Sequence, residues 1–401
     1  MARLYNCGFE MQSTTANMEF NATSTAGGSA VAISTSIKRS GNAAIRFSNS
    51  GANGGAYARQ NLLADGNGPY YFRAYVYVAD RPSARTSLLT VKNTADTSRM
   101  YVDLNTDGTL ILADTSGDIG TSSALALSTW YRIELKFFNN TVSGNAEMDV
   151  LIDGTSFAST TTSTSTGTVG RLRFGPSDSV SSYDIYMDDI AINDSTGSAQ
   201  TSWCGEGKLV LALPTGAGDS AATTGIYSYI NEIPPSDTAT SGSTMIELDT
   251  NPTNADYNVT DSSTLGIAST DTISLVQVMA RMREETSGAT NYTLRIKSAS
   301  GASVSSSSSL DVGSTTVLTN PSGTTVFGNV HIAYVDPTTS SAWTPTGTNS
   351  IDNMQVGVGT TDGNPDTWCL WLGAYIEYVY VPVDGTSLKD MIGSGMIPFA
   401  R

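Results

Sequence analysis

A Ser-His-Asp hydrolytic site in this chain would have to use His331, the only histidine in 401 residues. His331 lies in the run NVHIAYV, where strand alternation puts it on one face with Ala333 and Val335. Ser and Asp are so common here that sequence alone gives no meaning to a partner, and the expectation is a structural histidine. Glycoside hydrolysis needs two placed carboxylates. The nearest offer is YMDDIAIND, with Asp188, Asp189 and Asp194 and no Glu among them. Alternation there puts Asp188 and Asp194 on one face and Asp189 on the other, so no enzyme is expected. PTGAGDS (214–220) lacks the Lys of a phosphate-binding loop. Cys7, Cys204 and Cys369 are too far apart to suggest a metal pair or a disulfide framework, and read as buried reduced thiols. No cofactor is expected. A structural Ca²⁺ is left open, because Asp107, Asp114 and Asp118 sit in turns, but no D-x-D-x-D-G loop names its ligands. Tyr71, Tyr75 and Tyr77 form a stripe on the nominally outer face of one strand. Such a stripe serves as a glycan platform, or packs against another sheet or a neighbouring subunit.

These residues sit in strands. YYFRAYVYVA alternates Phe72, Ala74, Val76 and Val78 against Tyr71, Arg73, Tyr75 and Tyr77, and WYRIELKFFN alternates in the same way. Turn signals separate the runs: NSGANGG (49–55), NTDGT (105–109) and IDGT (152–155). The pattern returns after residue 205 in GKLVLALP, SLVQVMARMRE, NYTLRIKS, NVHIAYVD, DNMQVGVG and CLWLGAYIEYVYVP. In the last run Tyr375, Glu377 and Val379 oppose Ile376, Tyr378 and Tyr380, so both faces look buried. Ser/Thr tracts at 158–168 and 303–309 read as edge strands or exposed loops. GTSLKDMIGSG near 385–395 is the best short-helix candidate. The expected fold is all-β, with two tandem β-sandwich (jelly-roll) domains, 1–200 and 201–401, joined near NDSTGSAQTSWCGEG.

Composition narrows the function. With 37 acidic and 21 basic residues the net charge is -16, which disfavours binding to nucleic acid. No apolar run is long enough to span a membrane, and the N-terminus lacks the apolar stretch of a secretion signal. The C-terminal segment carries Leu388, Met391, Ile392, Met396, Ile397 and Phe399 with few charges, and should be covered either by its own domain or by a neighbouring chain as an assembly contact. The mildly apolar segment 1–20 reads instead as the first strand of the fold.

Residues 8–196 resemble a concanavalin A-like, laminin-G-like jelly roll. The carriers are WYRIELKFF, MDVLIDGTSF, GRLRFGPS and YDIYMDDIAIND, in that order. The opening MARLYNCGFEMQSTTANMEF resembles the start of bacteriophage virion proteins, and GKLVLALPTGAGD, INEIPPSDT, VQVMARMRE and SSAWTPTGTNSIDNMQVGV resemble a domain that follows it there. Sandwich-type glucanases carry an E-x-D-x-E strand that this chain lacks. The resemblance implies a non-enzymatic structural protein on the outside of a phage particle, as capsid decoration or tail component, assembled in the host cytoplasm. Its partners would be other phage structural proteins and copies of itself, a trimer being the guess. The alternative is a carbohydrate-binding module that meets host surface glycans during adsorption.

Overall fold

The computed structural model describes residues 3–222, 224–236, 244–248, 253–284, 291–308, 310–311, 330–360 and 367–381. All of its regular structure is antiparallel β, apart from single 3-10 turns at Tyr227–Tyr229 and Ile351–Asn353. The first fifteen strands are β1 (Arg3–Cys7), β2 (Ala22–Thr25), β3 (Ala30–Ser34), β4 (Ala44–Gly54), β5 (Ala56–Gly66), β6 (Tyr70–Asp80), β7 (Thr86–Lys92), β8 (Ser98–Leu104), β9 (Thr109–Asp114), β10 (Gly117–Ala124), β11 (Trp130–Asn140), β12 (Asn145–Ile152), β13 (Thr155–Ser163), β14 (Val169–Phe174) and β15 (Val180–Asp194). The remainder are β16 (Lys208–Ala212), β17 (Pro214–Ala217), β18 (Ile246–Leu248), β19 (Asn254–Val259), β20 (Thr272–Glu284), β21 (Asn291–Lys297), β22 (Val304–Ser306), β23 (Leu310–Asp311), β24 (Val330–Ala333), β25 (Gln355–Thr360) and β26 (Thr367–Val379).

Two sandwiches result. In the first, a sheet ordered β13-β12-β11-β6-β15-β4-β3, with β1 added on β15, faces a sheet ordered β10-β9-β8-β7-β14-β5-β2. The chain crosses between the two sheets repeatedly, at β4–β5, β5–β6, β6–β7 and β14–β15 among others. In the second, β16-β26-β20-β24 with β18 on β26 faces β17-β19-β25-β21-β22 with β23 on β21. Among the described residues no strand pairing crosses residues 195–207.

Period-two alternation accounts for the inner faces. Phe72, Ala74, Val76 and Val78 of β6 and Ile133, Leu135 and Phe137 of β11 are buried in one core. Phe9, Phe20, Phe47 and Phe174 meet there in pairs with ring centroids 6.1, 6.2, 6.3 and 6.4 Å apart. Burying one such ring stabilises the fold by about 1.5–3 kcal/mol. The segment 1–20 is thus tied down. Arg3–Cys7 pairs with β15, and Leu4, Tyr5, Phe9 and Phe20 belong to the core.

Several turns follow their sequence signals. At IDGT, Asp153 and Gly154 both take positive φ, 49° and 83°, as a two-residue hairpin requires. NSGANGG does not form the expected turn. Residues 49–54 continue β4 along β15, with Val180 opposite Gly54. The glycines permit a tight crossing between sheets, because a Cβ on Gly54 would lie 1.8 Å from the Ala26 carbonyl oxygen. The Ser/Thr tracts form edge strands β13 and β22, so far as the described residues go. The helix candidate near 385–395 and the C-terminal Leu388, Met391, Ile392, Met396, Ile397 and Phe399 lie outside the described residues.

Candidate functional site

The outer face of the β11-β6-β15-β4 sheet carries the expected tyrosine stripe, and the fold divides that face in two. One half is buried under the connector and the second sandwich. Trp203 of the connector meets the Tyr71 ring at 5.4 Å, and Arg39 lies 3.3 Å over the centre of the Tyr75 ring. Tyr75 is buried and Tyr71 half-buried against these neighbours, so these two rings pack within the chain.

Charge fills this joint. Glu377 of β26 lies 2.7 Å from both Arg3 and Arg73, and all three side chains are essentially inaccessible. The contacts are ionic rather than well-aligned hydrogen bonds. Arg3 also donates to Asn193 at 2.6 Å, to Gln200 at 3.2 Å and to Asn6. Arg73 donates to the carbonyls of Asp189 at 3.0 Å and Gly205 at 3.2 Å. Burial alone would raise the Glu377 carboxyl, but the two guanidiniums hold it below its ordinary value.

Beside it, YMDDIAIND acts as a clamp. Asp189 takes φ 49°, and the β15–β6 register slips between Asp188 and Ala191. This bulge defeats simple alternation, so Asp188 and Asp189 are both fully buried. Asp188 accepts from the backbone N–H of Arg39 at 2.8 Å and of Ser40 at 3.3 Å. Asp189 accepts from Arg39 at 2.6 Å, Ser40 at 2.7 Å and the Leu209 N–H at 2.7 Å, gripping the first strand of the second sandwich. Both carboxylates are thus held by this joint and shielded from solvent.

Two more acids complete the joint. Glu10 accepts from the N–H of Asn42 at 2.7 Å and of Ala43 at 3.3 Å. Glu19 accepts from the Tyr375 hydroxyl and, at 3.1 Å, from the Met11 N–H. Burial pushes Glu10 up to about 9 and Glu19 up to about 7, hydrogen bonding opposing it in both. Both faces of β26 are covered, as its two-sided composition implies: Tyr375 and Glu377 face the joint, while Ile376 and Tyr378 belong to the second core.

The other half of the face is open. A registered row runs across four strands through Trp130, Tyr77, Tyr186 and Arg46. Ring centroids are 5.4 Å apart for Tyr77–Trp130 and 5.8 Å for Tyr77–Tyr186. Tyr77 and Trp130 are half-buried, and Arg46 holds Asp184 through two bonds of 2.7 and 2.9 Å. Aromatic faces beside a fixed Arg–carboxylate fork can stack on a sugar ring and bond its hydroxyls. Tyr77 is half-buried in this row, and Tyr186 beside it is buried. Trp130, Tyr186 and Arg46 were not singled out in sequence, because only strand register makes them neighbours of Tyr77.

The other sequence candidates resolve more simply. His331 Nε2 lies 2.8 Å from Ser305 Oγ, across the two sheets of the second sandwich. Burial lowers its pKa, and no carboxylate bond to this ring occurs among the described residues. Asp107 accepts from Thr109, Asp114 from Ser116 and Ser163, and Asp118 from Arg85. Among the described residues no three His, Cys, Asp or Glu side chains are grouped to hold a metal ion. A polar cleft of about 520 Å³ in the second sandwich is lined by Asp219, Asp261, Asp352, Asn258 and Gln355, and its Asp219 is already bound by Lys297 and Ser300. INEIPP is tied to its own sheet, where Trp371 donates to the Glu232 carbonyl at 3.1 Å. The three thiols are buried and free.

No family model matches the sequence, and no curated protein matches it. Solved structures similar in part include the endo-β-1,4-glucuronan lyase of Trichoderma reesei, at 8% identity and TM-score 0.39 over 51% of this chain and 100% of that one. Cellulose induced protein Cip1 matches at 13% identity and TM-score 0.36, over 50% and 99%. Domain 4 of the arabinanase AbnA from Geobacillus stearothermophilus matches at 16% identity and TM-score 0.35, over 48% and 92%. Likeness at this level carries no argument about activity or ligand.

Proposed function

We propose that this chain is a non-enzymatic structural protein of a bacteriophage particle, displayed on the outside of the virion as capsid decoration or tail component. The joint is the observation that supports it best. Two sandwiches locked by Arg3, Arg73 and Glu377, and by the Asp189 clamp on Leu209, form a stiff unit suited to projecting from a surface. The sequence resemblance of both halves to virion proteins points the same way. Its partners are other particle proteins and further copies of itself, a trimer by preference. Fitting the chain into a density map of purified particles tests this and decides head against tail. Its absence from purified particles would end the reading.

A second reading, carbohydrate binding during adsorption, is favoured by the open row of Trp130, Tyr77, Tyr186 and Arg46. A glycan array comparing the native chain with Trp130→Ala tests it. Loss of signal in the variant supports it, and an array blank for both forms removes it.

A further inference from the structure

On the opposite sheet of the first sandwich, the outward positions of β5, β14 and β7 hold an unusual block of charge. Arg59 stands directly opposite Arg173, and Arg171 directly opposite Lys92. Directly opposed side chains share a face, and like charges placed so destabilise a sheet. Two such pairs adjoin in a chain with only 21 basic residues and a net charge of -16. Ordinary pairing does not explain them. Asp96, from the turn after β7, is shared by Arg171 at 2.8 Å, Arg173 at 2.5 Å and Lys92 at 3.4 Å. Asp65, at the margin, is bound to Thr94. The Arg59 side chain has no hydrogen-bonding or ionic partner among the described residues, and its Nε is shielded from water. The Nε of Arg173 is equally unpaired. Tyr57 lies under Arg173 at 4.3 Å, and Asn61, Thr90 and Tyr101 border the block.

We propose that this face binds an acidic polysaccharide, with Arg59 and Arg173 gripping carboxylates carried at intervals along a largely neutral sugar chain. The way three cations share Asp96 shows the block's affinity for a carboxylate. Planar guanidiniums suit that group because they bind it through two parallel bonds. Tyr101 and the ring face of Tyr57 turned away from Arg173 supply the flat apolar surface an uncharged sugar ring needs, and the amide N–H of Asn61, whose Oδ1 accepts from Arg171 at 2.7 Å, supplies a donor. The charge of the whole molecule selects against denser polymers. A nucleic acid carries a phosphate on every residue and would meet repulsion from the acidic remainder of the protein beyond this small block. The proposal is independent of the phage reading and of the aromatic row on the other sheet.

The test is affinity electrophoresis of the full chain in gels containing deacylated gellan (whose carboxylates are spaced by neutral sugars), neutral dextran or a single-stranded oligonucleotide, at low and at moderate salt. Gellan is expected to retard the native protein, with the effect weakening as salt rises, while dextran and the oligonucleotide do not. Arg59→Gln should weaken the retardation by about ten-fold, the worth of a charge-assisted bond. Its thermal midpoint should not fall, since removing Arg59 relieves repulsion and breaks no pair. Trp130→Ala should bind gellan as the native chain does. No retardation, equal retardation by the oligonucleotide, or unchanged binding by Arg59→Gln would each overturn the proposal.

Discussion

Replacing Glu377 with Gln tests the joint at its centre. The change keeps the size of the side chain and removes one charge. Arg3 and Arg73 then remain at 0% exposure with no carboxylate of the described residues within ion-pair distance. Their neutral partners, Asn193 and Gln200 for Arg3 and two carbonyls for Arg73, stay in place, so little packing or hydrogen bonding is lost. What is lost is charge compensation in a dry site. Removing one partner of a buried pair costs about 3–5 kcal/mol. Urea unfolding should show that loss, and because Glu377 lies on the second sandwich and both arginines on the first, the joint should open before either sandwich melts. The fluorescence of Trp203, packed edge-on against Tyr71, should change ahead of the main far-ultraviolet transition. A triple variant with Met at positions 3, 73 and 377 should recover much of the loss, since apolar replacement of a whole buried ionic group is often neutral or better. A loss below about 1 kcal/mol for Glu377→Gln would refute the claim that these charges need each other.

Stability should also fall as pH rises from mildly acid to mildly alkaline. Glu10 and Glu19, pushed up to about 9 and about 7 from an ordinary 4.5, hold protons in the folded state that the unfolded chain releases, so their contribution is complete below about 4.5 and is lost upward through 7 and 9. Urea midpoints at three pH values would show it, Glu19→Gln should flatten the slope, and a midpoint that climbs across this range would contradict the assignment. Near pH 4 and below, Glu377 and Asp256, both held below their ordinary values, act in the opposite sense. Gly41→Ala should cost about 1–3 kcal/mol in the same assay, because residue 41 sits at φ 56° and an added Cβ would lie 2.0 Å from a Glu10 oxygen. His331→Gln should shift the midpoint by less than about 1 kcal/mol, losing one half-buried contact to Ser305; a larger loss would mean that the ring carries more than this contact.

Much of the architecture is local and therefore legible in the residues. Side-chain alternation in YYFRAYVYVA and WYRIELKFFN determines which face each strand buries, and Asp153-Gly154 closes its hairpin because both positions need positive φ. The double burial of β26 could also be read, since neither of its faces is polar enough for water. The site could not be read in this way. The same alternation that places Phe72 inward places Arg73 and Tyr75 outward, and only docking of the second sandwich makes that outward face an interior. Asp188 and Asp189 come together through a bulge that breaks the period on which the sequence argument relies. Trp130, Tyr77, Tyr186 and Arg46, like Arg59 and Arg173, lie far apart in the chain and become neighbours only through strand register. Register and docking are set by non-local contacts, and a charge written into a strand does not say whether water, an opposite charge or another domain will cover it.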